Sequence, residues 1–237
     1  MISVCIATYN GSEYILDQIK SILDQLSLND EIIISDDSST DNTIVKIRSI
    51  NDNRIRIIEN QVFRNPVYNF ENALKHSKGE YIFLSDQDDI WIEEKLSTML
   101  QQLDLGFDLV LSDCKIVNDN FDVLQSSYFK FNGSKKGLMK NLIKNSYMGC
   151  CMAFNRKVLN ACLPFPPNLP MHDSFIGLIA ELRFRVKFIS IPLILHRKHS
   201  KNTSKTSVGK SSYSLWRKFK IRMNLLKALY CKTRILK

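Results

Sequence analysis

The chain lacks the features that would assign it to several common classes of protein. No window of its 237 residues approaches the roughly 20 uninterrupted apolar residues of a membrane-spanning helix. The N-terminus has neither the basic region nor the long apolar core of a secretory leader, so we expect none. Neither GxGxxG nor GxxxxGKS/T occurs, so a dinucleotide-binding motif and a P-loop are both unsupported.

Cysteine is present, but without the spacing of a disulfide framework or a redox motif. No two of the six cysteines form a CxxC pair; they are Cys5, Cys114, Cys150, Cys151, Cys162 and Cys231. Most lie in apolar stretches, which favours free buried thiols in a reducing compartment. We therefore expect a cytoplasmic protein, peripheral on the cytoplasmic face of the inner membrane.

Acidic residues are almost missing from the second half of the chain. Residues 1–130 carry 11 Lys+Arg and 22 Asp+Glu, a net charge of −11. Residues 131–237 carry 22 Lys+Arg and only two acids, Asp173 and Glu181, a net charge of +20. This asymmetry predicts an anionic partner for the second half, and lipid, a phosphorylated substrate and nucleic acid all remain open.

Apolar runs alternate with helical patterns over residues 1–112. Strands are predicted over 2–7, 31–35, 54–59, 81–84 and 108–112, and helices over 12–26, 41–50, 66–76 and 92–103. This order predicts an α/β fold with a doubly wound, mainly parallel sheet. Further along, we expect strands over 146–155, 186–191 and 193–196, a helix over 174–181 and a loop over 198–212.

Polar residues follow three of the predicted strands. Asp86, Asp88 and Asp89 come directly after residues 81–84. Carboxylates at i and i+2 can converge on one divalent cation, whereas a solvated turn that caps a helix is the alternative. Tyr9 and Asp37 follow the first two strands, at the same edge of a parallel sheet, where ligands bind in α/β folds.

Six segments resemble, in order and spacing, the motifs of family 2 glycosyltransferases with the GT-A fold. They are residues 4–11, 34–41, 79–91, 149–156, 171–173 and 195–204, so the similarity covers roughly residues 1–205. The variant Asp86-Gln87-Asp88-Asp89-Ile90-Trp91 is similar to bacterial enzymes that build O-antigen and capsular polysaccharide, rhamnosyltransferases among them.

The resemblance implies an inverting, metal-dependent glycosyltransferase. Residues 1–112 would be a Rossmann-like nucleotide-binding half, residues 113–205 an acceptor-binding half and residues 206–237 a basic tail. The donor would be a dTDP- or UDP-linked sugar, with rhamnose one candidate. The acceptor would be a hydroxyl of a glycan or a lipid-linked saccharide.

The resemblance also places the donor site. Ala7, Tyr9, Asn10, Asp37 and Asp86 would bind the nucleotide sugar. The ring of Tyr9 could stack on a pyrimidine, and the carboxylate of Asp37 could accept the imide N–H of the base.

The metal site would be formed by Asp88 and His199, holding Mg²⁺ or Mn²⁺ against the diphosphate. The cation would stabilise the charge that grows on the departing nucleotide. The assignment of His199 as a metal ligand rests on the family pattern, because a histidine in a Lys/Ser/Asn stretch is otherwise a solvated loop residue. An imidazole ligand would favour tolerance of Mn²⁺.

The catalytic base implied by the resemblance is Asp173. Its isolation in a basic region predicts a carboxylate pulled toward ionisation by surrounding cations, which suits a base near neutral pH. A helix N-cap before Ser174 is the alternative role, and the role of His172 stays open.

The C-terminal residues 213–237 have the pattern of an amphipathic helix. Its apolar stripe consists of Leu215, Phe219, Met223, Leu226, Leu229 and Tyr230, and eight basic residues lie between Arg217 and Lys237. Binding to an anionic membrane surface is the favoured interpretation, and packing on the parent domain is the alternative. Nucleic acid is not expected, because no recognised binding motif is present.

Two other functions compete with glycosyl transfer. A nucleotidyltransferase would share a nucleotide site on a similar sheet, but it would normally show a Gly-rich basic loop after the first strand, which residues 7–11 lack. A non-catalytic sugar-nucleotide-binding or membrane scaffold protein is the second alternative. The acidic clusters and Asp173 argue against an inactive site.

Overall fold

The computed structural model describes residues 1–199 and 214–235. The strands are β1 (Ile2–Thr8), β2 (Glu31–Asp36), β3 (Ile55–Ile58), β4 (Tyr81–Ser85), β5 (Ile90–Trp91), β6 (Leu109–Val117), β7 (Val123–Gln125), β8 (Met152–Asn155) and β9 (Val186–Arg197). The helices are α1 (Ile15–Leu23), α2 (Thr43–Ser49), α3 (Pro66–His76), α4 (Lys95–Asp104), α5 (Tyr128–Asn132), α6 (Leu138–Ile143), α7 (Arg156–Cys162), α8 (His172–Arg183) and α9 (Leu215–Ile235).

The strands form one sheet in the order β3-β2-β1-β4-β8-β6-β9-β5, with β7 paired to β6. Strand β1 pairs in parallel with β2 and β4, and β6 pairs in parallel with β9. Strand β8 lies between β4 and β6 and is antiparallel to both. The predicted α/β fold, with its mainly parallel first half, is confirmed.

The core of the first half forms because β1 is covered on both faces. Its residues are buried along almost the whole strand, as expected for a central parallel strand. Helix α3 packs on β1 and β2 with Phe70 and Leu74 buried. Its start is fixed by Pro66 and by the side chain of Asn65, which accepts the Val67 N–H at 2.9 Å.

Two expectations about the second half are wrong in detail, and one short strand of the first half is new. The strand expected over 146–155 is confined to β8, because Gly149–Cys151 form a 3₁₀ turn. The two expected late strands are the single strand β9, whose register shifts beside Pro192, a residue with no N–H to donate. The short strand β5 was not expected, and it pairs with the end of β9.

Helix α9 packs on α8 and α6, burying Leu225, Ala228 and Leu229. Of the predicted stripe, only Leu229 is buried, and the other five side chains face outward. Within the described residues, no helix has the length and apolarity that crossing a membrane requires. The expected loop over 198–212 falls almost entirely outside the described residues, and so does the expected boundary between residues 205 and 206.

Gly177 of α8 lies against the ring of Tyr147, whose hydroxyl donates to Glu181 at 2.7 Å. A Cβ at this position would overlap the ring. We expect Gly177→Ala to lower the free energy of unfolding by about 1–3 kcal/mol, measured by denaturant titration. In the double variant with Tyr147→Leu, the cost should fall short of the sum of the two single costs. Strict additivity would show that the overlap is not the cause.

Candidate active site

The carboxyl ends of β1, β2 and β4 meet at one edge of the sheet. Their register pairs Thr8 with Asp36 and Ile6 with Ser85, so the loops that follow the three strands are neighbours. Tyr9, Asp37 and Asp86 therefore lie at the same edge, as the βα order predicts.

Gln87 joins two of these loops. Its side-chain oxygen accepts the N–H of Tyr9 at 2.9 Å, and its side-chain amide donates to the carbonyl of Tyr9 at 3.1 Å. Gly11 makes room for this amide, since a Cβ there would lie 2.7 Å from Gln87 Cδ. Gln87 is not among the predicted site residues, although its place between Asp86 and Asp88 was the available signal.

The loop after β1 presents Tyr9 and fixes Asn10. The side chain of Tyr9 is 56% exposed at the mouth of the site, and Ala7 is half-buried on β1. Asn10 has a positive φ of 48°, a conformation that asparagine tolerates better than most residues. Its side-chain oxygen accepts the Thr40 N–H at 2.8 Å, which ties this loop to the one after β2.

Asp37 forms hydrogen bonds to the loop between β3 and α3. Its two carboxylate oxygens accept the N–H groups of Phe63 at 2.6 Å and of Asn65 at 3.2 Å. The side chain is buried, and its two hydrogen bonds hold the segment before α3 in place. This structural role is additional to the base-binding role predicted for Asp37. Each carboxylate oxygen retains a further lone pair for a ligand N–H.

Asp88 and His199 are brought together from positions 111 residues apart. The Nε2 atom of His199 lies 2.9 Å from Oδ2 of Asp88, and both side chains are almost fully covered. The imidazole stacks on the ring of Tyr14 at 4.5 Å, and the Tyr14 hydroxyl donates to Asp119. The alternative of a solvated loop histidine is therefore wrong.

Behind this pair, Asp89 is fully buried and interacts with the end of β9. It accepts the backbone N–H of Arg197 at 3.1 Å, and His196 Nδ1 lies 2.9 Å from the same oxygen. Burial alone would lower the pKa of His196, but the Asp89 carboxylate outweighs burial and raises that pKa to about 10. His196 therefore forms an ion pair with Asp89 beneath the site.

Asp86 lies between these two pairs. Burial raises the pKa of Asp86 well above its ordinary value, and the charges of Asp89 and Asp88 raise it further. Asp86, Asp89, Cys150 and His196 offer four ligand atoms that all lie within 4.8 Å of one another. Metal-binding donors in this region therefore come from Asp88 with His199 and, deeper, from this group of four.

Asp173 enters the site from the start of α8. The ideal Cβ position on Gly149 lies 3.8 Å from Asp173 Cβ and 3.9 Å from Leu84 Cδ1, so Asp173 is beside the end of β4. The N-cap of α8 is Met171, so the alternative role of Asp173 as the N-cap is wrong. The Asp173 side chain instead accepts the N–H of the adjacent Ser174.

The expectation that cations pull Asp173 toward ionisation is also wrong. Burial raises the pKa of Asp173 to about 6, and hydrogen bonds to Ser174 offset only part of this rise. The carboxylate is still mostly ionised at pH 7, and a raised pKa makes it a stronger base. The neighbouring His172 stacks on Phe70 at 4.3 Å, and burial lowers the pKa of His172 to about 4.

The sequence matches the family described as "Glycosyl transferase family 2" over residues 3–163. It is 31% identical over 181 residues, 75% of this chain and 68% of the relative, to the UDP-Glc:alpha-D-GlcNAc-diphosphoundecaprenol beta-1,3-glucosyltransferase WfgD of Escherichia coli. It is 28% identical over 224 residues, 83% of this chain and 72% of the relative, to the dTDP-rhamnosyl transferase RfbG of Shigella flexneri. A shorter match, 41% identical over 100 residues, spans 42% of this chain and 40% of the E. coli glucosyltransferase WfaP.

The fold is similar to that of solved glycosyltransferases. TarS of S. aureus, residues 1–349 in complex with UDP-GlcNAc, superposes with a TM-score of 0.70 at 19% identity, covering 97% of this chain and 72% of that 1–349 chain. The mannosyltransferase PcManGT of Pyrobaculum calidifontis superposes with a TM-score of 0.62 at 23% identity, covering 98% of this chain and 64% of the solved PcManGT chain.

The fold is thus that of the GT-A class of glycosyltransferases. The chain belongs to glycosyl transferase family 2. The resemblance to bacterial polysaccharide enzymes is confirmed, and a rhamnosyltransferase is among the relatives. The nucleotidyltransferase and non-catalytic alternatives are set aside.

We expect Gln87→Ala to raise KM for the nucleotide sugar about tenfold, because two hydrogen bonds that hold the Tyr9 loop are lost. Steady-state kinetics with a donor that gives turnover would measure this. Gln101→Ala, on the exposed face of α4, is the matched control and should leave KM unchanged. An unchanged KM in a folded Gln87→Ala protein would contradict the positioning role.

Proposed function

We propose that the chain transfers a sugar, with inversion, from a UDP- or dTDP-linked donor to a hydroxyl of a lipid-linked saccharide during synthesis of a bacterial surface polysaccharide. The observation that carries this proposal is the meeting of Asp86, Asp88 and Asp173 at the end of β4. The printed names of WfgD and RfbG, a UDP-Glc and a dTDP-rhamnosyl enzyme, support a pyrimidine nucleotide donor. The name of WfgD also supports a diphosphoundecaprenol-linked acceptor.

In this proposal, residues 1–112 bind the donor. The exposed ring of Tyr9 stacks on the pyrimidine, and Asp37 accepts the imide N–H of the base with a remaining lone pair. Ala7, Asn10 and Asp86 line the rest of the donor site. Residues 113–205 supply the acceptor side, and residues 206–237 form the basic tail.

The residues present fit a divalent cation. Asp88 and His199 would hold Mg²⁺ or Mn²⁺, and their side chains already face each other at 2.9 Å. A cation would also relieve the repulsion among the buried carboxylates that raises the pKa of Asp86. When bound, it supplies Lewis-acid stabilisation of the negative charge on the diphosphate.

Asp173 is the proposed general base. Its carboxylate takes the proton from the acceptor hydroxyl while that oxygen forms a bond to the anomeric carbon. The bond between the anomeric carbon and the diphosphate oxygen breaks on the opposite face, so the nucleoside diphosphate leaves with its electron pair and the configuration inverts. The buried position of Asp173 keeps competing water away from the base.

Removal of divalent cations by excess chelator should abolish transfer, and Mn²⁺ or Mg²⁺ should restore it. Asp88→Asn should lower kcat/KM by about 10²-fold or more, since several kcal/mol of charge stabilisation would be lost. A panel of UDP- and dTDP-sugars in the same assay would identify the donor. Asp24→Asn, at an exposed helix end, is the control. Undiminished transfer in excess chelator would exclude a role for a divalent cation in the reaction.

Asp173→Asn should lower kcat by about 10²- to 10⁴-fold through loss of the base. The wild-type rate should rise with pH through about 6, as Asp173 loses its proton. A flat profile between pH 5 and 7 would argue against this base.

The same variant should gain stability at pH 7. The folded-state pKa of about 6 exceeds the ordinary aspartate pKa of 3.8, so wild-type stability falls as pH rises through this window. Replacing the buried charge should raise the free energy of unfolding by up to about 3 kcal/mol. A less stable Asp173→Asn protein would show that the carboxylate is structural.

A further inference from the structure

Helix α9 leaves one apolar face uncovered. Six exposed side chains fall within an arc of about 100° when 3.6 residues are placed per turn; they are Leu215, Trp216, Phe219, Met223, Leu226 and Tyr230. The buried residues Leu225, Ala228 and Leu229 lie outside this arc, where α9 packs on the domain, and Leu229 is about 40° from Leu215 around the helix. Five of the six residues of the sequence stripe therefore belong to the uncovered face, and the sixth, Leu229, belongs to the packing face.

Helix α6 extends this face. Met139 and Ile143 lie one turn apart and are 69% and 65% exposed, while Leu138 and Leu142 pack against the core. The guanidinium of Arg222 donates to the carbonyl of Ile143 at 2.5 Å. Because Arg222 lies one turn before Leu226, this contact places the end of α6 at the border of the uncovered face of α9.

The charge around these side chains has one sign. Lys136 and Lys144 flank α6, and Lys220 and Lys227 border one edge of the uncovered arc of α9; all four are exposed. The sequence has only two acids after residue 130, Asp173 and Glu181. Neither is available at this surface.

Both acids are engaged within the domain. Asp173 is in the candidate active site. Glu181 accepts the Gly137 N–H at 2.8 Å, the Asn141 amide at 3.0 Å and the Tyr147 hydroxyl at 2.7 Å. Helices α6 and α9, which display the apolar side chains, therefore contribute cations and no carboxylate of their own to this surface.

We propose that α6 and α9 together form a single surface that binds the headgroup region of an anionic bilayer. Apolar side chains ringed by lysine match a membrane interface, and an exposed tryptophan is suited to the boundary between acyl chains and headgroups. A second copy of the chain is a poor occupant, because it would bring two cationic faces together. The sequence predicted membrane binding by residues 213–237 alone, and the proposed surface adds α6 to it.

The surface is connected to the reaction centre by α8. Glu181, near the end of α8, holds the start of α6, and Asp173 lies in the first turn of the same helix. Eight residues of helix separate them, about 12 Å along the axis. This connection rests on the proposed function, since it would position the base relative to a lipid-linked acceptor.

Cosedimentation of the full chain with phosphatidylcholine vesicles, with and without phosphatidylglycerol, tests the surface. Binding should require phosphatidylglycerol and weaken with added salt. Met139→Ser/Ile143→Ser, on α6 alone, should weaken binding about tenfold, and Trp216→Ser/Phe219→Ser should do the same. The matched control is Leu28→Ser/Val45→Ser, which removes exposed apolar side chains from the acidic half and should have no effect.

Wild-type binding by the α6 variant, with an unchanged thermal unfolding profile, would overturn the proposal. A dimer that the α6 variant converts to a monomer, without vesicle binding, would assign the face to a second copy and overturn it as well. Donor hydrolysis in the absence of vesicles separates this test from the proposed function. Hydrolysis should be unchanged in every surface variant, and a chain that binds vesicles but hydrolyses no donor would refute the enzyme mechanism alone.

Discussion

The mutual repulsion of Asp86, Asp88 and Asp89 in a small, largely dehydrated volume is the constraint on which the rest of the site depends. Carboxylates that have lost their water must be paired or held near a cation. The fold meets this demand with the end of β9, which brings His196 to Asp89 and places His199 next to Asp88. The last strand therefore completes a site that β4 begins.

The rest of the architecture positions the predicted site residues around this acidic edge. Gln87 fastens the acidic loop to the loop that carries Tyr9, and Asn10 fastens that loop to the next one. Asp173 approaches from the opposite half on α8. Its burial makes the protein less stable at neutral pH but gives the carboxylate the basicity that suits the general base proposed for it.

The first half of the fold could be predicted because strand and helix patterns alternate there and parallel strand ends must share an edge. That rule placed Tyr9, Asp37 and Asp86 together. The Asp88–His199 pair rested on family resemblance, because no local pattern relates residues 111 positions apart. The raised pKa of Asp173 could not be predicted, since the excess of lysine and arginine in the sequence does not reveal that the carboxylate is buried. The outward stripe of α9 was visible in the sequence, but the separate face that packs on α8 was not.

The antiparallel strand β8 has a consequence for the order in which the protein forms. Its residues 152–155 complete the hydrogen bonding of β4, yet they follow β4 by about 70 positions in the chain. A nascent polypeptide that has emerged only as far as residue 112 already contains β1 to β4, but β4 is then an open sheet edge. Such edges can pair with other chains, so residues 1–112 expose an aggregation-prone edge until β8 is released from the ribosome.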